Sequence, residues 1–223
     1  MNNISGENWT TFGSSGNGIY QFSFPLGLSF DSAGKRYVAD TGNSRIARID
    51  DLSGKNWTTF GNNGTGVNQF AKPFDIFVDS AGKIYVPDYG IDRIVRMDDM
   101  SGTNWTTFGS SGSGTNQFFG PIGIFVDSIG KIYVADKGNC RIIRMDDFSG
   151  ANWTTLTRCG NGTNQINAPT GIFVDSAGKI YFADAGNNQI VQMDDMSGKN
   201  WISLGTPGNG IYQFNLPYRI MLH

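Results

Sequence analysis

The sequence predicts an all-β fold, a β-propeller of four-stranded antiparallel blades, on three observations. The five tryptophans, Trp9, Trp57, Trp105, Trp153 and Trp201, stand 48 residues apart, and five of the seven prolines (Pro25, Pro73, Pro121, Pro169, Pro217) keep the same step without an insertion. A fixed period of about 20–50 residues marks a repeat architecture in which neighbouring copies share one continuous core. Each period holds four short runs of β-branched and aromatic residues bounded by Gly, Asp, Asn and Ser clusters, and no useful stretch has helical periodicity.

Residues 120–157 show one period in full. Ile122–Val126 is a first strand and Asp127-Ser128-Ile129-Gly130 a tight turn. Lys131–Ala135 is a second strand, and Asp136-Lys137-Gly138-Asn139 turns into a third, Arg141–Met145. Asp146–Gly150 turns again into Asn152–Leu156. Turn residues at these offsets join the strands into a meander. The strands read as nearly continuous apolar runs because a propeller blade packs a neighbour on both faces. A long Gly-rich connection follows, such as 109–120. It carries Gln-Phe at Gln21-Phe22, Gln69-Phe70, Gln117-Phe118 and Gln213-Phe214, with Gln165-Ile166 in the remaining copy. An apolar ring held at one place in a polar loop is expected to tuck between sheets.

The run from Pro121 to Ile142, Pro-x-Gly-Ile-Phe-Val-Asp-Ser-x-Gly-Lys-Ile-Tyr-Val-Ala-Asp-x-Gly-Asn-x-Arg-Ile, resembles the NHL-repeat family of β-propellers, and the resemblance covers essentially the whole chain. It implies the fold strongly and the function weakly, since NHL-like propellers include interaction modules, sensor domains, RNA binders and some lyases. The histidine often found after the motif's Asn is Ser44, Asp92, Cys140 or Asn188 here, Ile91 replaces one of the recurring asparagines, and the single histidine is His223.

Complete blades are expected over 24–61, 72–109, 120–157 and 168–205, in a single domain. Residues 1–13 match the end of a third strand and a fourth, and 215–223 match a first strand, which suggests a five-bladed ring closed by both termini. Five periods would need 240 residues, 17 more than the 223 present. The alternatives are an excerpt from a longer array and an open chain completed through another protomer, because an unpaired strand edge invites pairing.

Composition narrows the function. A net charge of −2 with 16% charged residues lacks the basic face that nucleic acid requires, and no polybasic segment points to a membrane surface. Cys140 and Cys159 do not recur between copies and read as two small thiols rather than a disulfide framework or zinc cluster. The N-terminal residues carry neither the basic nor the apolar region of a signal peptide. The Asn-Trp-Thr triplets at Asn8, Asn56, Asn104 and Asn152 are glycosylation sequons in form and by-products of the repeat in this reading.

No nucleophile elbow, phosphate loop or metal-ligand spacing occurs, so no cofactor, no metal and no enzymatic activity are expected, and a propeller lyase or lactonase would lack its histidines. The Asp-Asp-x-Ser-Gly sequences beginning at Asp50, Asp98, Asp146 and Asp194 read as turn chemistry. Asp40, Asp88 and Asp136 with Arg45, Arg93 and Arg141 read as ion pairs pinning the next turn, with Gln189 breaking the set at Asp184.

Residues that recur in every copy serve the scaffold, so function is sought where copies differ. The position two after each repeat proline reads Gly27, Asp75, Gly123, Gly171, Arg219, and the one before it Leu26, Phe74, Ile122, Thr170, Tyr218. The turn after the second strand reads Thr41, Tyr89, Lys137, Ala185. These lie at the mouth of the channel-lining strands. The candidate ligand-binding residues are therefore Asp75, Arg219, Tyr218, Tyr89 and Lys137. The bland alternative is a lone Asp–Arg pair across the channel. The leading expectation is a non-enzymatic scaffold for a protein, peptide or small polar ligand, as a monomer or self-complementing homo-oligomer. A lectin-like module with a glycan pocket in each inter-blade loop, and a repeat array with no evolved ligand, are the alternatives.

Overall fold

The computed structural model describes residues 10–220, and these build four sheets, each of four antiparallel strands in chain order, arranged as a propeller. Blade 1 is Pro25–Phe30, Arg36–Asp40, Arg45–Ile49 and Thr58–Phe60. Blade 2 is Phe77–Val78, Ile84–Asp88, Arg93–Met97 and Thr106–Phe108. Blade 3 is Pro121–Val126, Ile132–Asp136, Arg141–Met145 and Thr154–Thr157. Blade 4 is Pro169–Val174, Ile180–Asp184, Gln189–Met193 and Ile202–Leu204. The fourth strand of blade 3 starts two residues later than its β-propensity suggests, because Asn152 takes a left-handed conformation (φ 52°) to close the turn. Blade 2 has the shortest first strand, and Pro87 stands in its second strand where the other copies have alanine. Proline offers no N–H to the ladder, and only an isolated bridge joins Pro73 to Asp88 there.

The turns are built from aspartates. Asp127 Oδ1 accepts the amides of Ile129 and Lys131, and its Oδ2 accepts the Tyr133 hydroxyl, which fixes the first hairpin of blade 3. The third turn uses the Asp pair. In blade 2, Asp98 Oδ2 accepts Asn104 Nδ2 at 2.6 Å, while Asp99 Oδ1 accepts the Ser101 amide at 2.8 Å and hydroxyl at 2.6 Å. The Ser101 hydroxyl and amide hold the exposed Asp99 carboxyl at about 2, below its ordinary 3.8. A depressed carboxyl contributes stability that is present above the ordinary value and lost as pH falls through the lowered one. Ser101→Ala should therefore move the Asp99 titration up toward 3.8 in a carboxyl-detected NMR experiment, and an unmoved titration would show that the hydroxyl is not the cause.

The core lies between blades. Tyr37, Ala39 and Ile46 of blade 1 pack against Ile76, Val78, Ile84, Val86, Val95 and Met97 of blade 2, and the same pattern joins blade 2 to blade 3 and blade 3 to blade 4. Each fully buried Ile or Val contributes about 1.5–3 kcal/mol. Both faces of the inner blades are thus apolar, which is why strict alternation is lost. The loop side chains Phe70, Phe118 and Ile166 are wholly buried, as expected of the Gln-Phe positions. Phe70 and Phe118 pack edgewise or tilted on Trp105 and Trp153, with ring centroids 5.2 and 5.5 Å apart. Arg93 and Arg141 lie over the same indoles and donate to loop carbonyls of Gln69 and Gln117, tying each loop to its blade.

Asp40, Asp88, Asp136 and Asp184 are fully buried at the ends of the second strands. Three of them pair with Arg45, Arg93 and Arg141 at 2.8, 3.3 and 2.7 Å. The inner strands approach closely, and glycine permits it. A methyl group on Gly123 would meet the Thr170 carbonyl oxygen at 2.0 Å, and one on Gly171 would meet Arg219 Cα at 2.7 Å. The segment at 217–220 therefore lies against blade 4's first strand, and Thr170 Oγ1 donates to the Pro217 carbonyl at 3.0 Å. The expected pairing between the two terminal strands falls mostly on residues 1–9 and 221–223, outside the described residues.

The reading of the cysteines as separate thiols is corrected. Cys140 and Cys159 form a disulfide with Cα atoms 5.1 Å apart, within the usual range for such a bond. The chain brings them together because Cys140 occupies the left-handed position after the second turn, which in every copy faces the connection to the next blade. Ser44 there donates to the Ala71 carbonyl, while Asp92 and Asn188 accept the amides of Gly120 and Leu216. In blade 3 a covalent link replaces that hydrogen bond, a substitution that one non-recurring cysteine per position hid from the repeat pattern.

Candidate functional site

The first strands begin, and the second strands end, at one mouth of the central channel. Arg219 Nη1 donates to Asp75 Oδ1 at 2.8 Å across 144 positions of sequence. Asp75 Oδ2 also accepts the Ile124 amide at 3.3 Å. Burial pushes the Asp75 carboxyl above its ordinary range, and the Arg219 guanidinium opposes that shift without cancelling it. The Tyr218 ring stacks at a tilt on Phe74, centroids 5.7 Å apart, and Phe74 lies 5.3 Å from Tyr89. Burial and the Asp75 charge both push the Tyr218 phenol upward. Together Leu26, Phe74, Ile122, Thr170 and Tyr218 leave only about 10 Å³ of space around the ion pair. Side chains therefore plug the channel at this mouth. Beyond the plug is a chamber of about 210 Å³, in which Phe77, Phe125 and Phe173 follow one another at centroid spacings of 5.0 Å.

A separate groove of about 660 Å³ runs beside the plug over blades 2, 3 and 4, between Lys72, Tyr89, Asp92, Phe119, Lys137 and Asn167. Asp92 is engaged with the Gly120 amide at 2.6 Å, and Asn167 Nδ2 with Asn161 at 2.7 Å. Phe119 is 55% exposed. Neither lysine makes an ion pair among the described residues. The groove thus offers two ammonium groups, a phenol and an exposed aromatic ring, with its one carboxylate already bonded. Such a surface can receive an anionic group and stack an apolar one.

The five residues singled out by copy comparison divide between these two places. Asp75, Arg219 and Tyr218 belong to the plug, whereas Tyr89 and Lys137 face the groove, with Tyr89 touching both. The comparison missed Lys72, Phe119 and Asn167. The signal was present, because the two positions before each repeat proline read Ser23-Phe24, Ala71-Lys72, Phe119-Gly120, Asn167-Ala168 and Asn215-Leu216. The inter-blade loops are filled from within: Gln69 and Gln117 turn inward and accept the amides of Gly66 and Gly114 at 3.0 Å.

No protein-family model matches the chain, and no curated protein matches it. Solved structures do. The chain is similar to a structure described as a nidogen/laminin complex, at 22% identity and a TM-score of 0.71, over 92% of this chain and 70% of that one. It is also similar to a streptogramin B lyase, at 22% identity and a TM-score of 0.62, over 84% of this chain and 56% of the lyase. A catalytically inactive virginiamycin B lyase from Staphylococcus aureus with quinupristin matches at 20% identity and a TM-score of 0.59, over 81% of this chain and 55% of that one. The chain spans little more than half the length of the lyases. At these identities the likeness establishes a β-propeller and nothing of its activity.

Proposed function

We propose that this chain is an NHL-type propeller that binds an acidic peptide segment of a partner protein in the groove beside the channel mouth. The observation that carries the reading is the pairing of Lys72 and Lys137, free of ion pairs among the described residues, with Tyr89 and the exposed Phe119 in one cavity spanning three blades. These residues differ between copies, so the scaffold does not demand them. The same end of the channel is plugged by Phe74, Tyr218 and the Asp75–Arg219 pair, which favours an extended ligand lying across the surface. The repeat pattern from Pro121 to Ile142 supports the NHL-type assignment. The glutamine-filled inter-blade loops offer no support to a sugar pocket in each blade.

An acidic-peptide array and a glycan array probed with the purified chain test this. Binding to acidic peptides is expected, weakening at high salt because screened charges contribute less. Lys72→Glu with Lys137→Glu should weaken it about tenfold or more, with an unchanged melting temperature. Peptide binding indifferent to the double substitution, or binding to glycans alone, would overturn the proposal.

A further inference from the structure

The Cys140–Cys159 bond stands at the wall of the peptide groove. Cys140 lines that groove together with Lys137, Asn167 and Ala168. It is half-buried, whereas Cys159 is exposed. The connection that Cys159 belongs to, residues 158–168 from blade 3 to blade 4, lacks an anchor that its copies share. Ile166 stands where Phe70 and Phe118 reach Trp105 and Trp153. Thr157 stands where Gly61 and Gly109 leave room for those rings. The covalent link is therefore found at the connection that has given up its aromatic contact.

The same local fold is built elsewhere in the chain without a sulfur bridge. Gly160 donates its amide to the Ile166 carbonyl at 3.0 Å, as Gly64 and Gly112 donate to Phe70 and Phe118 at 3.1 and 2.9 Å. Ile166 is fully buried, and its amide donates to the Arg158 carbonyl at 2.8 Å. Ser44 fills the Cys140 position in blade 1 and donates to the Ala71 carbonyl at 3.1 Å. What the bridge adds is a restraint on the groove. The Cys140 amide donates to the Lys137 carbonyl at 3.2 Å, closing the turn that presents the Lys137 ammonium. Two residues beyond Cys159, Asn161 Oδ1 accepts Asn167 Nδ2 at 2.7 Å, which orients a second groove residue.

We infer that this disulfide is a redox latch on the groove. In the native fold it exchanges with a dithiol reductant, and its opening loosens both the Lys137 turn and the 158–168 connection. Its effect on ligand binding rests on the peptide-binding reading above. Exchange proceeds through the sulfur that a thiolate can reach. One thiolate of the reductant attacks the exposed Cys159 Sγ, the Sγ–Sγ bond breaks, and its electron pair leaves on Cys140, which takes up a proton. The reductant's second thiol then loses its proton and closes on the first, releasing Cys159 to be protonated in turn. Two electrons pass to the protein, and the dithiol becomes a disulfide.

The test uses the full chain, dithiothreitol as the reductant, and a labelled peptide of glutamates with one phenylalanine. Under native conditions the reductant should release both cysteines as thiols, keep the near-ultraviolet circular dichroism, and lower the melting temperature by about 5–10 °C. Amide exchange at Cys140 and Gly160 should quicken at least about tenfold, while Gly64 and Gly112 keep their rates. Peptide affinity should fall about threefold or more, because the groove is less preorganised, and reoxidation should restore it. Cys140→Ser with Cys159→Ser should match the reduced chain and ignore the reductant. Thiols that appear only when the whole chain unfolds would refute the latch. So would exchange at Cys140 and Gly160 unchanged by reduction, or equal peptide affinity in the two forms. A peptide that binds neither form would count against the function proposed above, and the exchange rates then decide the latch by themselves.

Discussion

Asp136→Ala should destabilise the protein by about 3–5 kcal/mol, read as a fall in the urea midpoint with an unchanged slope. The carboxylate is fully buried. Its Oδ2 accepts Arg141 Nε at 2.7 Å and Asn139 Nδ2 at 2.8 Å, and its Oδ1 accepts the Phe119 amide at 2.8 Å. Removing it leaves a guanidinium that is itself 5% exposed with no counter-charge, and a main-chain amide with no acceptor. The damage would spread, because Arg141 also holds the Ser113 and Gln117 carbonyls and lies over Trp153 at 5.8 Å. The opposite substitution should cost less. Blade 4 already carries Gln189 in the arginine position, donating to Asp184 at 2.8 Å, while Arg158 supplies the cation over Trp201 at 5.7 Å. Arg141→Gln is therefore expected to cost less than Asp136→Ala, though not nothing, because the Ser113 and Gln117 carbonyls lose their donor and Ser110 stands in blade 3 where Arg158 stands in blade 4. Equal losses for the two variants would refute the view that the buried carboxylate is the organising group.

Burial raises the Asp136 carboxyl above its ordinary 3.8 in spite of Asn139, the Phe119 amide and Arg141. A carboxyl raised on folding contributes stability that is complete below the ordinary value and is lost as pH climbs through the raised one. The stability gap between wild type and Asp136→Asn should accordingly narrow as pH rises across that window.

How much of this was legible in the sequence follows from what repetition reveals and what it conceals. The ladder of Trp57, Trp105 and Trp153 is one in which each tryptophan meets a loop aromatic and an arginine of the same copy or its neighbour, all at fixed offsets. Alignment of the copies therefore exposes the blades, the Asp–Arg pairs and the buried loop phenylalanines. Contacts made once leave no period. The Cys140–Cys159 link is hidden because each cysteine looks like drift at a tolerant position until the fold sets one beside the other. Lys72 and Phe119 do not show among the variable residues after each proline, because the groove is walled partly by the residues before it. The exposure of Leu28 and Phe30 on blade 1, 37% and 44%, is least legible of all. They are as apolar as the buried Ile76 and Val78, and residue type alone does not separate the two environments.

Asp75→Ala should cost about 2 kcal/mol and loosen the 217–220 segment. The full penalty for stripping a buried ion of its partner is larger, but the Arg219 side chain is 30% exposed and water would recover part of it. The bond joins blade 2 to a segment 144 positions away, across the channel rather than along the ring. It thereby holds 217–220 against Gly171, beside the Pro217–Thr170 contact. Amide exchange should then quicken at Ile220, and at Ile124, whose N–H loses Asp75 Oδ2 as its acceptor, while amides of blade 1's third strand stay slow. Because burial raises the Asp75 carboxyl, Asp75→Asn, which keeps an acceptor for Arg219 without the buried charge, should cost less than Asp75→Ala. The double variant Asp75→Ala with Arg219→Ala should cost less than the sum of the single ones, as a directly coupled pair requires. Additive losses, or exchange unchanged at Ile220, would separate the two charges from the seating of 217–220 and return them to the channel mouth as groups available to a ligand.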